Sequence, residues 1–154
     1  STYSITGEHN IAFGYRALSG IGSGSDATDC SNNIAIGFQS LFSLTGAGSS
    51  AYSIDNIGIG KNALRNVTTG RTNIGIGDEV GLSLITGGYN IIFGNYANVQ
   101  ASVESSIAIG RSAQCTGNDA IAFGQSASAA AGECVFGNTG GLITVIRSGS
   151  NLQT

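Results

Sequence analysis

The chain has 154 residues, enough for one ordinary domain, with a net charge of −3 and only 10% charged residues. Its 25 Gly without any Pro exclude collagen, and its 41% hydrophobic content argues against disorder. Five Arg and one Lys in a weakly acidic chain give no basic stripe for phosphates, and the longest apolar run, residues 142–146, is far too short to span a bilayer. Neither nucleic-acid binding nor membrane insertion is expected.

One pattern, Ile-x-(Ile/Phe)-Gly, recurs along the chain. The copies in order are Ile11-Ala12-Phe13-Gly14, Ile34-Ala35-Ile36-Gly37, Ile57-Gly58-Ile59-Gly60 and Ile74-Gly75-Ile76-Gly77. They continue with Ile91-Ile92-Phe93-Gly94, Ile107-Ala108-Ile109-Gly110, Ile121-Ala122-Phe123-Gly124 and a degenerate Cys134-Val135-Phe136-Gly137. The closing glycines stand 23, 23, 17, 17, 16, 14 and 13 residues apart, a period that marks a solenoid or array. Asn precedes the first five copies, at Asn10, Asn33, Asn56, Asn73 and Asn90.

After most of the closing glycines comes a second half-motif, Ala17-Leu18, Ser40-Leu41 or Ala63-Leu64 early on, and Ala97, Ala113 or Ala127 later. Turns such as Thr69-Gly70 and Thr116-Gly117 lead to the next copy, where Gly accepts positive φ freely. Each rung therefore reads as short strand, glycine corner, short strand, turn. Alternation puts the two large residues of Ile-x-(Ile/Phe) on one face and the small middle residue on the other. The expectation is that the large residues fill a narrow core and the small ones allow a neighbouring chain to approach. One thin coil orders 13–23 residues per rung for about two large buried side chains, so self-association is expected.

The fold expected is all-β, a parallel β-roll or β-solenoid of about eight rungs over residues 1–137, associated as a homotrimer. Residues 138–154 leave the repeat and form a C-terminal strand or cap. The absence of Met points to a fragment or processed product. Cys30, Cys115 and Cys134 form no CxxC pair; they read as small buried hydrophobes in a chain folded in a reducing compartment.

Little in the sequence speaks for catalysis. His9 is the only histidine and no G-x-S-x-G elbow accompanies it. The string GIGKNA at 58–63 matches a loose dinucleotide fingerprint, but it is simply the third repeat and lacks the strand-to-helix context. Asp26 and Asp29 share a loop without any known calcium-loop pattern, and Asp78-Glu79 reads as a solvated corner. No cofactor is expected. The extra length of the 23-residue intervals falls in residues 19–32 and 45–55, and insertions in a solenoid often form its binding face. Ser23, Ser25, Asp26, Thr28, Asp29, Ser49, Ser50 and Tyr52 are therefore the candidate receptor-binding residues. Tyr15, Tyr89 and Tyr96 add further stacking surfaces.

The segment 106–127, SIAIGRSAQCTGNDAIAFGQSA, resembles the head repeats of trimeric autotransporter adhesins, which are left-handed parallel β-rolls of three chains. The segment 56–73, NIGIGKNALRNVTTGRTN, is more similar to repeats of bacteriophage tail fibres, many of which lose a C-terminal chaperone after trimerisation. The three unpaired cysteines favour the fibre resemblance, because fibres fold in the cytosol. It implies a non-enzymatic, homotrimeric segment of a virion tail fibre that helps attach to a host cell-surface glycan or outer-membrane protein. The alternatives are a structural spacer within a fibre, a bacterial cell-surface adhesin head and, least favoured, a glycosidase-type spike.

Overall fold

A computed structural model describes residues 7–21, 30–45 and 52–137, together with the backbone of strand 144–147. The elements are β1 (Ile11–Phe13), β2 (Ile34–Ile36), β3 (Ile57–Ile59), β4 (Ile74–Ile76), β5 (Ile91–Phe93), β6 (Asn98–Val99), β7 (Ile107–Ile109), β8 (Gln114–Cys115), β9 (Ile121–Phe123), β10 (Ser128–Ala129), β11 (Glu133–Phe136) and β12 (Thr144–Arg147). The chain is all-β, a parallel β-solenoid. Eight repeat strands stack in the order β1-β2-β3-β4-β5-β7-β9-β11, with β12 added antiparallel on β11. A second, smaller sheet is ordered β10-β8-β6.

Register follows the repeat residue by residue: Ile11 lies over Ile34, Ile34 over Ile57 and Ile57 over Ile74, with the closing positions aligned in the same way. A spacing that shrinks from 23 to 13 residues leaves this stacking untouched. Each corner is backbone-bonded to the next rung as well. Gly37 N–H donates to Phe13 O at 2.8 Å, and Asn62 N–H donates to Phe38 O at 2.8 Å.

The structure reverses the expected facing of the strands. In the repeat strands after β1 the middle residue points into the core: Ala35, Ala108, Ala122 and the larger Ile92 are fully buried. The flanking Ile and Phe point outward and are half-buried or exposed, Phe13 being 75% exposed and Phe123 48%. The cause lies in the second half of each early rung. Leu41, Leu44, Leu64, Val67 and Leu84 are fully buried and already occupy the interior. A Cβ added to Gly75 would stand 2.6 Å from Leu64 Cγ, and one on Gly58 would stand 2.6 Å from Ser40 Oγ. The strand middle is small because leucine fills the space opposite it.

Two kinds of rung make up the coil. In the first three, the leucine four residues past the closing glycine takes a left-handed conformation, with φ of 53° at Leu18, 48° at Leu41 and 50° at Leu64. Such a backbone costs roughly 1–2 kcal/mol, and burying a leucine side chain returns about 1.5–3 kcal/mol. The fourth rung keeps the turn with Gly81 in that place. From the fifth rung the same position is a strand residue, Asn98, Gln114 or Ser128, and its side chain is no longer in the core. Ile92, the one large residue in the middle of an Ile-x-(Ile/Phe) strand, makes up the lost volume at this change. A second short strand is therefore present only in the later rungs, as β6, β8 and β10; the early rungs have turns there.

A column of buried amides runs beside the strands. Asn33, Asn56, Asn73 and Asn90 are fully buried. Asn73 Nδ2 donates to Asn56 Oδ1 at 3.1 Å and to Gly87 O at 2.9 Å, while its Oδ1 accepts from Asn90 N–H at 3.1 Å and Asn90 Nδ2 at 3.0 Å. Asn33 and Asn56 repeat this pattern, so every side-chain donor and acceptor of these three amides is satisfied. The column starts at Asn10, whose Nδ2 donates to Cys30 O at 2.7 Å. It passes to Ser106, whose N–H donates to Asn90 Oδ1 at 3.0 Å, and ends where Ala120 N–H donates to Ser106 Oγ at 3.1 Å.

Candidate functional site

Of the eight candidate receptor-binding residues, Ser23, Ser25, Asp26, Thr28, Asp29, Ser49 and Ser50 lie outside the described residues. Tyr52 is described and 41% exposed. Tyr15 stacks on Phe38, with ring centroids 5.4 Å apart and planes 17° apart, and the Arg16 guanidinium lies 5.5 Å from the Tyr15 centroid. Tyr89 carries Arg71 in the same manner at 5.3 Å. Tyr15, Tyr52, Tyr89 and Tyr96 are thus exposed, and they are dispersed over different rungs and corners.

The outer face of the long sheet carries a continuous apolar strip. Two columns run along it, one from Ile11 to Cys134 and the other from Phe13 to Phe136. Their sixteen positions hold fifteen Ile or Phe and one Cys, with no charge and no hydrogen-bonding side chain apart from the thiol. Seven steps of about 4.8 Å make this strip roughly 34 Å long. Phe123 and Phe136 continue it as a tilted ring pair at 6.1 Å, and Tyr15 with Phe38 extends the apolar surface beside it at the β1 end. Monomeric proteins rarely leave a contiguous apolar surface of more than a few hundred Å² in water. Alternation had paired these residues correctly and assigned them to the wrong side of the sheet.

The polar candidates resolve as local structure. His9 sits exposed at a bend with φ 57°. Lys61 lies 3.6 Å from Glu79 and 4.0 Å from Asp78, an exposed network of the kind that contributes little to stability. Among the described residues, no group of three His, Cys, Asp or Glu side chains is placed to hold a metal ion. Cys30 and Cys115 are buried, as expected of small hydrophobes, whereas Cys134 is half-buried on the outer strip.

Burial pushes the Cys115 thiol up from 9.0 to about 11, against the opposing effect of backbone hydrogen bonds at Ala122 and Ile107. The folded value lies above the unfolded one, so the thiol's contribution to stability is complete below pH 9 and is lost as the pH rises towards 11. The expected alkaline loss is about 2–3 kcal/mol across that window. Urea titrations at pH 8 and pH 10.5 check it: Cys115→Ala should show a flatter alkaline decline than the parent chain. Equal slopes in the two proteins would remove Cys115 as the cause.

Comparison with family models, with curated proteins and with solved structures finds no match to this chain.

Proposed function

We propose that this chain is a non-enzymatic, homotrimeric β-solenoid segment of a virion tail fibre that contributes to host-surface attachment. The observation that carries the proposal is the uncharged Ile/Phe strip on the outer face of the long sheet. Covering it returns about 25 cal/mol for each Å² of apolar surface removed from water. A strip parallel to the stack is best covered by copies standing side by side about a parallel axis, which gives a closed assembly with rungs at equal height. The number three and the fibre setting come from the resemblance of the repeats. In such a trimer the large strand residues meet at the axis, so the contact is made by the face opposite to the small-residue one that alternation suggested.

Sedimentation tests the assembly: a single species at three times the 15.4 kDa chain mass is expected. Ile59→Glu with Ile76→Glu places two charges per chain in the contact and should raise the dissociation constant by a factor of roughly 1,000 or more. Far-UV circular dichroism should stay unchanged, because both side chains point away from the core. Cys134 reports on the same event, since its thiol should label slowly in the trimer and readily in the charged variant. A wild-type monomer, or a doubly charged variant that still sediments as a trimer, contradicts the arrangement. Attachment is tested separately, by asking whether the trimer binds bacterial cells or competes with phage adsorption. A well-assembled trimer that does neither is a spacer.

A further inference from the structure

Where the two kinds of rung meet, the smaller sheet begins beside a turn, and the change leaves a depression of about 260 Å³. Ser83, Asn98, Gln100, Gln114 and Thr116 line it with side chains, over the inward-pointing Val99 and Cys115. We infer that this groove is a binding subsite for a neutral carbohydrate, one sugar ring of a larger glycan. The inference deepens the attachment reading, on which it rests for its biological role.

The groove is built by the register of the sheet. Asn98 lies over Gln114 and Val99 over Cys115, so the outward residues form two polar columns on either side of a buried one. Asn98 is committed to closing the junction: its Oδ1 accepts from Ser83 N–H at 3.0 Å and its Nδ2 donates to Ser83 Oγ at 2.7 Å. Thr116 Oγ1 donates to Ala129 O at 3.3 Å, which leaves its oxygen lone pairs available. Gln100 and Gln114 are exposed, and their side-chain amides make no hydrogen bond within the described residues.

The lining selects the class of ligand by its chemistry. Two free amides each offer two donors and an acceptor, which match vicinal hydroxyls that both donate and accept. None of the lining residues is charged, so nothing there compensates a phosphate, a carboxylate or a metal ion. The apolar floor is covered, so an aliphatic ligand finds little surface to bury. The volume lies just below the range of roughly 300–1,000 Å³ typical of drug-sized ligands, which suits a single ring. The groove faces away from the Ile/Phe strip, because the core lies between the two sheets. It therefore stays open in the proposed trimer, which would present three copies and combine their weak contacts through effective concentration.

The test is backbone-amide NMR on the intact chain, titrated with methyl glucoside, methyl galactoside, N-acetylglucosamine and, as a charged comparison, sialic acid. At least one neutral sugar should shift the resonances of residues 98–100 and 114–116. Gln100→Ala and Gln114→Ala should each weaken that binding by roughly 3- to 10-fold. Both positions are exposed and without partners, so unfolding should not obscure the result, and the circular dichroism of each variant checks this. Three outcomes overturn the inference: no neutral sugar perturbs these residues, both variants bind as well as the parent, or only sialic acid binds. One chain supplies the whole groove, so sugar binding by a monomer would separate the fate of this site from that of the trimer.

Discussion

Gly60→Ala is expected to cost at least about 4 kcal/mol and to abolish a single cooperative urea transition, the range reached only by the most disruptive substitutions. Gly60 holds φ at +130°, a conformation L-residues rarely adopt. An added Cβ would stand 2.2 Å from Gly77 O and 2.7 Å from Gly77 C. Neither atom can yield cheaply, because Gly60 N–H is bonded to Ile36 O and Gly77 N–H to Ile59 O, both within 2.9 Å. Rungs interact mainly with their neighbours, so the damage should centre on the third and fourth and leave the last rungs protected from hydrogen exchange. Gly88→Ala is the comparison: its φ is not in the left-handed region, and its nearest contact to an added Cβ is Arg71 O at 3.0 Å. A loss at Gly60 no larger than that at Gly88 would mean the corner can relax, and the steric account would be wrong.

Asn73→Ala should cost about 3–5 kcal/mol. The side chain makes four hydrogen bonds at full burial, and each buried partner left unsatisfied carries about 1–3 kcal/mol. The damage should also be one-sided. Asn90 N–H donates to Asn73 Oδ1 and loses its acceptor, whereas Asn56 N–H donates to Asn33 Oδ1 and keeps its own. Hydrogen exchange should therefore accelerate at Asn90 and not at Asn56. Asn66→Ala, which removes only an exposed bond to Leu82 O, should cost less than about 1 kcal/mol. A loss of that small size at Asn73 would show that water or local repacking replaces the ladder.

The sequence made the stack legible because stacking is written once per rung. Ile-x-(Ile/Phe)-Gly marks both the strand and the corner, and the structure pairs the copies in that register. What it hid was the side of the sheet. Alternation says which residues share a face, and only packing against the rest of the rung says which face is inside. The missing clue was the second half-motif: Leu41 with Leu44, or Leu64 with Val67, already fills the interior, and the glycines at 58 and 75 record the lack of room. The change from Ala-Leu to Ala alone was visible as well, and it coincides with the change from turn to strand after Gly94. Asn before the first five copies is equally plain in the sequence, but the bonds it makes are not. A polar residue recurring at one height of successive rungs can bond to its counterparts above and below, as Asn73 does to Asn56 and Asn90. The groove at the junction could not be read, because it depends on where two backbone geometries meet. The candidate loop residues other than Tyr52 lie outside the described residues.

The antiparallel strand β12 gives the stack a direction of growth. A parallel sheet edge is a template, offering unpaired backbone groups to any strand that matches its spacing. At β11 that template is occupied by a strand running the opposite way, so a further rung cannot be copied there in the same register. At the other end no strand among the described residues pairs with the free side of β1, and Ile11 and Phe13 are well exposed beside it. A further parallel rung in the register of the repeat therefore fits against β1 and not against β11. Oligomers that extend the parallel stack should join through the β1 end, and a charge introduced on β1 should suppress them more than the same charge beside β12.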